Sequence, residues 1–168
     1  MDATSSPATT VTLPSDRELV ITRTFEAPRR LVFEALTRPE HVRRWYGPRR
    51  LSLTVCEIDL RPGGAWRYVM RDPDSGAEFG FSGVYREVTP PERLVSTECY
   101  EAMPGHDYLV TVTLDEHDGK TTLRSHLLYQ SVEDRDGHLQ SGMEAGVRET
   151  YDRLAELLAE LRTRGGVK

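Results

Sequence analysis

The sequence predicts an α+β fold in which a curved antiparallel sheet of about seven strands wraps around one long C-terminal helix. The first observation is a set of apolar residues at steps of three and four, the period of one helix face: Met143, Val147, Tyr151, Leu154, Leu158 and Leu161. The second is strand-like alternation through most of residues 51–130. The third is a pair of short helical segments that follows the first predicted strand, between residues 27 and 47.

The N-terminal elements follow from local composition. Residues 1–16 are rich in Ser, Thr, Ala and Pro without periodicity, which predicts a disordered tail, and residues 17–164 are predicted to form a single domain. Residues 17–26 alternate as a first strand. Pro28 then occupies the first turn of a short helix, and a capping box from Thr37 to Glu40 begins a second helix that Gly47-Pro48 ends.

The remaining strands are separated by turn residues. They are predicted at 51–60, 65–71, 78–88, 94–100, 108–114 and 121–130, with a hairpin across residues 116–119. Residues 131–140 are predicted as a short helical turn. A capping box formed by Ser141 and Glu144 begins the long helix, and Gly165-Gly166 ends it.

The alternation indicates which face of the sheet meets the long helix. In the last strand Leu123, Ser125, Leu127 and Tyr129 form the apolar set, so they are predicted to face inward. The same parity in residues 94–100 places Leu94, Ser96, Glu98 and Tyr100 inside, although the opposite set is more apolar there. A carboxylate on that wall would have a raised pKa. The alternative is that the strand is flipped or bulged and Glu98 faces solvent.

A sheet curved around a helix encloses space between them, which predicts a small-molecule cavity. The candidate ligand-binding residues lie on the predicted inner face of the sheet, on the second short helix and on the long helix. They are Trp45, Trp66, Tyr68, Met70, Phe81, Tyr85, Ser96, Glu98, Val112, Ser125, Leu127, Met143, Val147 and Tyr151. Glu98 is also the candidate catalytic residue, because a titratable group on an apolar inner wall would have a perturbed pKa.

Composition argues against several classes of function. The formal net charge is -5, and the arginines alternate with acidic residues, so we expect no nucleic-acid partner, although Arg43, Arg44, Arg49 and Arg50 form a small basic patch. Cys56 and Cys99 form no metal-binding or redox motif, and we expect no metal and no cofactor. His106, His117 and His138 are expected in solvated turns. The chain has neither an apolar run long enough to span a bilayer nor a signal-peptide pattern, which predicts a cytoplasmic protein.

Five stretches in order carry a resemblance to a known family. They are FEAPRRLVFEAL at 25–36, RPEHVRRWYGP at 38–48, CEIDLRPGGAWRYVMR at 56–71, GVYREVTPPERLV at 83–95 and SGMEAGVRETYDRLAELL at 141–158. With this order the chain resembles the SRPBCC or START-like superfamily, which has the helix-grip fold. Within that superfamily it is similar to the bacterial family of heat-shock-protein ATPase activator homologues. The resemblance implies a ligand-binding scaffold shared with lipid carriers and aromatic polyketide cyclases.

Three functions stay open at this point. The first is binding of a small hydrophobic or aromatic ligand between the sheet and the C-terminal helix. The second is a cyclase-like or dehydratase-like enzyme with Glu98 as its acid or base. The third is a cochaperone-type protein with a chaperone partner, which the resemblance implies. A homodimer is open under each of them.

Overall fold

The computed structural model describes residues 9–165, which form eight strands and four helices. In chain order they are β1 (Thr10–Thr12), β2 (Glu18–Phe25), α1 (Arg29–Thr37), α2 (Pro39–Trp45), β3 (Ser52–Ile58), β4 (Ala65–Arg71), β5 (Glu78–Thr89), β6 (Arg93–Tyr100), β7 (Tyr108–His117), β8 (Lys120–Leu128), α3 (Val132–Gln140) and α4 (Met143–Gly165). This arrangement confirms the predicted α+β helix-grip fold, with two short helices after the first long strand and a long C-terminal helix.

All eight strands belong to one antiparallel sheet with the order β1-β2-β8-β7-β6-β5-β4-β3. Strands β3 to β8 follow each other as a meander, and β2 closes the order by pairing with β8. Register shifts occur between Leu53 and Val55 and between Tyr85 and Glu87, and such bulges bend a strand and increase its twist. Gly83 lies two residues before the second shift, at a position where a β-carbon would be 1.8 Å from the Thr97 carbonyl oxygen. The close approach of β5 and β6 therefore requires a glycine there.

The core lies between the inner face of the sheet and α4. Leu154, Leu157 and Leu158 of α4 are buried in a large cluster that also contains Phe25 and Leu123 from the sheet. The helices α1 and α2 add further apolar side chains to this cluster and cover one end of it. The first half of α4 packs instead on a second cluster, formed by Leu19, Ile21, Tyr108, Val110, Leu127 and Tyr129. The long helix therefore lies along the sheet as its sequence period predicts.

The N-terminal segment differs from the prediction. Residues 1–16 were expected to be disordered, but Thr10–Thr12 form the edge strand β1, which pairs with β2. Thr9 is buried, and its polar groups are satisfied there: Arg23 donates to its hydroxyl over 2.9 Å, and Arg148 donates to its carbonyl oxygen. Asp152 accepts from the same Arg23 nitrogen, also over 2.9 Å. Residues 1–8 lie outside the described part of the chain.

Neither predicted capping box forms. Thr37 donates to the Phe33 carbonyl within α1, and the residue that precedes α2 is Arg38 in an extended conformation without a side-chain cap. Ser141 ends α3 and donates to the His138 carbonyl. Gly142 then adopts a φ of +85°, which reverses the chain and lets α4 begin at Met143. The predicted end of α4 at Gly165-Gly166 falls at the limit of the described residues.

The predicted basic patch is largely neutralised by ion pairs. Arg44 bonds Glu160, and Arg49 bonds Glu156, both on α4. Arg50 bonds Asp72 at 3.1 Å. Between residues 9 and 165, none of the helices has the length and apolarity that a bilayer-spanning helix requires.

Candidate functional site

A cavity of about 480 Å³ lies between one end of the sheet and the junction of α3 with α4. Most of the side chains around it are apolar or aromatic, and the polar ones are concentrated on α3 and at the mouth. The lining residues are Pro48, Arg50, Leu51, Met70, Phe79, Phe81, Tyr100, Met103, His106, Tyr108, Tyr129, Glu133, Asp134, Gly137, His138, Ser141 and Met143. Arg50, Met103, His106 and Glu133 are exposed, so they mark the mouth.

The sheet wall comes from alternate residues of neighbouring strands. Phe79 lies opposite Met70 in the β4–β5 ladder, and Phe81 lies opposite Tyr100 in the β5–β6 ladder. Residues that face each other in an antiparallel pair project to the same side of the sheet. Phe81 and Tyr100 stack with ring centroids 5.0 Å apart and planes at 27°. Phe79, Phe81 and Tyr100 therefore give this side of the cavity an aromatic surface, which suits an apolar or aromatic ligand.

The opposite wall is one face of α3. Glu133, Asp134, Gly137 and His138 are spaced by one, three and one residues, which places them on a single side of a helix. Ser131 caps this helix by accepting from the Asp134 amide at 3.1 Å. Asp134 also bonds the His106 Nδ1 atom at 2.8 Å, which ties the helix to the loop before β7. The polar groups of the cavity are thus held on the helical side.

A cluster of hydrogen-bonded rings forms the inner end of the cavity. Tyr108 and Tyr129 are buried, with ring centroids 4.9 Å apart. The Tyr129 hydroxyl bonds His138 Nδ1, and the Tyr108 hydroxyl donates to Glu98 Oε2 at 2.5 Å. Tyr108 also packs on His138, with ring centroids 5.6 Å apart. Two polar pairs, one with a carboxyl group and one with an imidazole, therefore stand side by side behind an apolar cavity.

Burial shifts the proton affinities of this cluster. It raises the pKa of the Glu98 carboxyl, and the hydrogen bond from Tyr108 offsets part of that rise. Burial also lowers the pKa of His138, so the imidazole is neutral at neutral pH. Burial is also the main cause that raises the pKa of Tyr108, and the nearby charge of Glu98 raises it further. A neutral imidazole and phenol groups can each donate or accept a hydrogen bond from a ligand.

Three of the predicted binding residues line this cavity: Met70, Phe81 and Met143. Glu98 adjoins it through Tyr108, and its register opposite Tyr108 places it on the inner face of the sheet, with Ser96 opposite Val110. The other predicted residues are core side chains away from the cavity lining. Those in or packed against the large cluster are Trp45, Trp66, Tyr68, Tyr85, Val112 and Tyr151.

The last predicted residues lie nearer the N-terminal half of α4. Leu127 and Val147 belong to or pack on the second cluster, and Ser125 is buried in β8. The cavity therefore lies one or two turns toward the helix N-terminus from the position that was expected around Val147. The residues that the sequence analysis missed are mainly Phe79, Tyr100, Tyr108, Tyr129 and His138.

The alternation already contained part of this missing information. Tyr100 and Tyr129 fell in the inward-facing sets, and both line the cavity. His138 was expected to be solvated, and this is wrong, because it is partly buried against Tyr108 and bonded to Tyr129. His106 is exposed as expected, but it bonds Asp134. Across residues 9–165, no three or more His, Cys, Asp or Glu side chains are grouped so that they could hold a metal ion.

Comparisons with known proteins agree with this architecture. The model of the family described as "Activator of Hsp90 ATPase homolog 1-like protein" matches residues 26–159. A protein from Rhodobacter sphaeroides is 30% identical, with 91% of this chain and 99% of that chain covered and a TM-score of 0.85. A protein from Nitrosomonas europaea is 29% identical, with 90% and 99% covered and a TM-score of 0.80.

A third structure comes from a biosynthetic locus. DynU16, a protein in the dynemicin biosynthetic locus, is 25% identical, with 87% of this chain and 48% of that chain covered and a TM-score of 0.66. A search of curated proteins found no match. The family match covers most of the chain and confirms the resemblance drawn from the five sequence stretches. The chain belongs to the family of Activator of Hsp90 ATPase homolog 1-like proteins, within the SRPBCC superfamily.

Proposed function

We propose that the protein binds a small, largely apolar or aromatic molecule in the cavity between the sheet and the α3–α4 junction. The observation that carries this proposal is the cavity itself, with about 480 Å³ of space and a mostly apolar and aromatic lining. Ligand sites of this kind are typically concave and apolar, with a few polar groups that orient the ligand. Here those groups are the paired side chains of Tyr129 and His138.

The two walls have different tasks in this proposal. Phe79, Phe81 and Tyr100 offer apolar aromatic surface, whereas the helix α3 offers hydrogen-bonding groups. The likeness to a protein in the dynemicin biosynthetic locus supports a small organic molecule as the ligand. Met70 and Met143 suit such a site because flexible thioether side chains adapt to the outline of a ligand.

Two glycines in helices provide a matched test of the position of the site. Gly137 lines the cavity, and a β-carbon there would have no heavy atom within 4 Å. Gly146 on α4 has the same open surroundings but does not line the cavity. Gly137→Leu should therefore extend a side chain into the cavity from an uncrowded β-carbon, and Gly146→Leu should leave the cavity open. Both changes replace a helical glycine, so both should favour the helix by up to ~1 kcal/mol.

The probe for this test is the neutral fluorescent compound phenylnaphthylamine. We expect saturable binding to the parent protein and to Gly146→Leu, and a loss of at least about tenfold in affinity, ~1.4 kcal/mol, in Gly137→Leu. Equal affinity in all three proteins would refute the proposed site. Thermal unfolding of each variant serves as the control for folding.

A second candidate function, catalysis of proton transfer, is favoured by the bond between Glu98 and Tyr108. A carboxyl group with a raised pKa retains its proton closer to neutral pH, and Tyr108 links it to the cavity. Glu98 would then act as the acid or base, and Tyr108 would pass the proton to the ligand. The cochaperone hypothesis has only the family description in its support.

Deuterium exchange tests the catalytic hypothesis directly. Acetylnaphthalene, an enolisable aromatic ketone, is incubated with the protein in deuterated buffer, and loss of its methyl signal is followed by NMR. If the protein is a proton-transfer catalyst, the parent accelerates the exchange, and Glu98→Gln abolishes the acceleration while retaining the affinity for phenylnaphthylamine. Exchange at the rate of the buffer alone contradicts the hypothesis.

A further inference from the structure

The surroundings of Glu98 differ from those of the other carboxylates near the cavity. Its carboxyl group accepts a hydrogen bond from Tyr108. Burial raises the pKa of Glu98 more than this bond lowers it, and no basic group contributes to the shift. Within residues 9–165, no arginine, lysine or histidine forms an ion pair with it. A carboxylate withdrawn from water is usually paired with a cation, because the ionised form is otherwise strongly disfavoured.

Tyrosine rings surround this carboxyl group instead of cations. The charge of Glu98 adds to burial in raising the pKa of tyrosines from α4, from β4 and β7, and from the segments that follow α2 and β8. These tyrosines are Tyr46, Tyr68, Tyr108, Tyr129 and Tyr151. Two of them, Tyr108 and Tyr129, line the cavity. When Glu98 is ionised, its negative charge therefore lies next to Tyr108, at the inner end of the cavity.

The mouth of the cavity does not supply the missing positive charge. Arg50 is tied to Asp72 at 3.1 Å, and His106 is tied to Asp134 at 2.8 Å. Glu133 adds a further carboxylate to the rim. Aromatic faces attract a cation through the negative potential above the ring, most strongly when the cation is shielded from water.

We propose that the cavity selects an apolar molecule that carries a cationic nitrogen, either an amine or a quaternary ammonium, with its charge placed against Tyr108 and Tyr129 as the counter-charge of Glu98. This inference rests on the proposed function, because it assigns a chemical class to the ligand of the same cavity. The apolar part of the molecule lies against the wall formed by Phe79, Phe81 and Tyr100. The acidic rim favours entry of the same charge.

Three probes of similar shape and different charge test the selection: naphthylmethylamine, naphthalenemethanol and naphthoate. Their affinities for the parent protein are measured by calorimetry at neutral pH, where the amine is protonated and naphthoate is ionised. We expect the amine to bind at least about tenfold more tightly than the alcohol, and the alcohol more tightly than naphthoate. In Glu98→Gln the preference for the amine over the alcohol should shrink to about threefold or less.

Glu26→Gln is the matched control, because it removes the same charge at an exposed position. This control should keep the preference for the amine. Equal binding of the amine and the alcohol to the parent protein would overturn the proposal, and so would a preference that survives Glu98→Gln unchanged. Failure of the proposed function would be recognised separately. In that case the neutral probe phenylnaphthylamine does not bind the parent protein, or Gly137→Leu does not reduce its affinity. Because the comparison of the three probes uses the parent protein, it holds even if Glu98→Gln does not fold.

Discussion

Tyr108 and Glu98 face each other across the β6–β7 ladder, and the tyrosine hydroxyl donates to the glutamate carboxyl over 2.5 Å. Because opposed residues of an antiparallel pair share one face, both side chains lie on the inner side of the sheet. The pair joins a titratable group to the wall of the cavity, since Tyr108 is a lining residue and Glu98 stands behind it. The proton affinity of Glu98 therefore affects the stability of the protein.

The first prediction concerns Glu98→Gln. Burial raises the pKa of Glu98 above 4.5, so between 4.5 and the folded-state pKa the folded protein binds more protons than the unfolded chain. The free energy of unfolding of the parent then falls as pH rises through that interval and levels off above it. The variant lacks this decline, and it should gain ~1.4 kcal/mol relative to the parent for each tenfold increase in proton affinity on folding.

Guanidinium unfolding at several pH values from about 4 to about 8 measures this effect. Glu26→Gln, which removes an exposed carboxylate, corrects for the change in net charge. A stability difference between Glu98→Gln and the parent that does not change with pH would contradict the prediction.

The second prediction concerns Tyr108→Phe. The hydrogen bond from Tyr108 lowers the pKa of Glu98 against the effect of burial, so its loss should raise that pKa further. The variant should also lose ~1–3 kcal/mol of stability, because the acceptor stays in place without its donor. NMR titration of the Glu98 carboxyl carbon measures the midpoint. Tyr129→Phe, which removes the bond to His138 instead, is the control, and a lower midpoint in Tyr108→Phe would rule out the assignment.

The third prediction concerns His138. Burial lowers the pKa of this imidazole below 6.5, so below that pH the unfolded chain takes up a proton before the folded protein does. The contribution of His138 to stability is therefore present above pH 6.5 and is lost as pH falls toward the folded-state pKa. His138→Gln should remove this loss, and proton NMR of the imidazole should give a midpoint below 6.5. A midpoint at or above 6.5 would show that the ring is solvated.

The fourth prediction concerns the N-terminal segment. Thr9→Val removes the hydroxyl that accepts from Arg23, so it should cost ~1.5–3 kcal/mol, the range for hydrogen bonds to charged groups. Thr10→Val makes the same chemical change at the next residue, which is exposed, and should cost less than ~0.5 kcal/mol. Thermal and denaturant unfolding of both variants give the comparison. Equal stabilities would mean that the Thr9 contact with Arg23 contributes nothing.

Periodicity was sufficient for the long elements of this fold. Residues 65–71 were predicted as a strand with the bounds that β4 has, and the apolar repeat of α4 matches the helix that packs on the sheet. Periodicity could not reveal β1, because three residues are too few to establish a pattern. The strand with which they pair is also separated from them in sequence, as in the pair of Val11 with Ile21. Arg23 lies on the otherwise apolar face of its strand. Its place there is explained by its bond to Asp152, which comes 129 residues later in the chain.

The position of the cavity could not be predicted from the sequence, because one of its walls is α3, whose sequence has no apolar repeat. The helix α3 has no buried residue among Val132–Gln140, so no apolar repeat marks the face that it turns to the cavity. The pairing of His138 with Tyr129 exists only after α3 has folded back over the end of β8. The capping motifs at Thr37 and Ser141 failed for a related reason, because each hydroxyl found a carbonyl of the preceding turn.

The helix α3 has no fully buried residue, and Leu139 and His138 give it only limited packing on the core. Gly142, which follows it, has a backbone conformation that few other residues tolerate. A segment of this kind opens at a free energy well below that of global unfolding. Its amides should therefore exchange with solvent sooner than those around Leu154, in the buried part of α4. We therefore expect the wall of the cavity that α3 forms to open independently of the core beneath it.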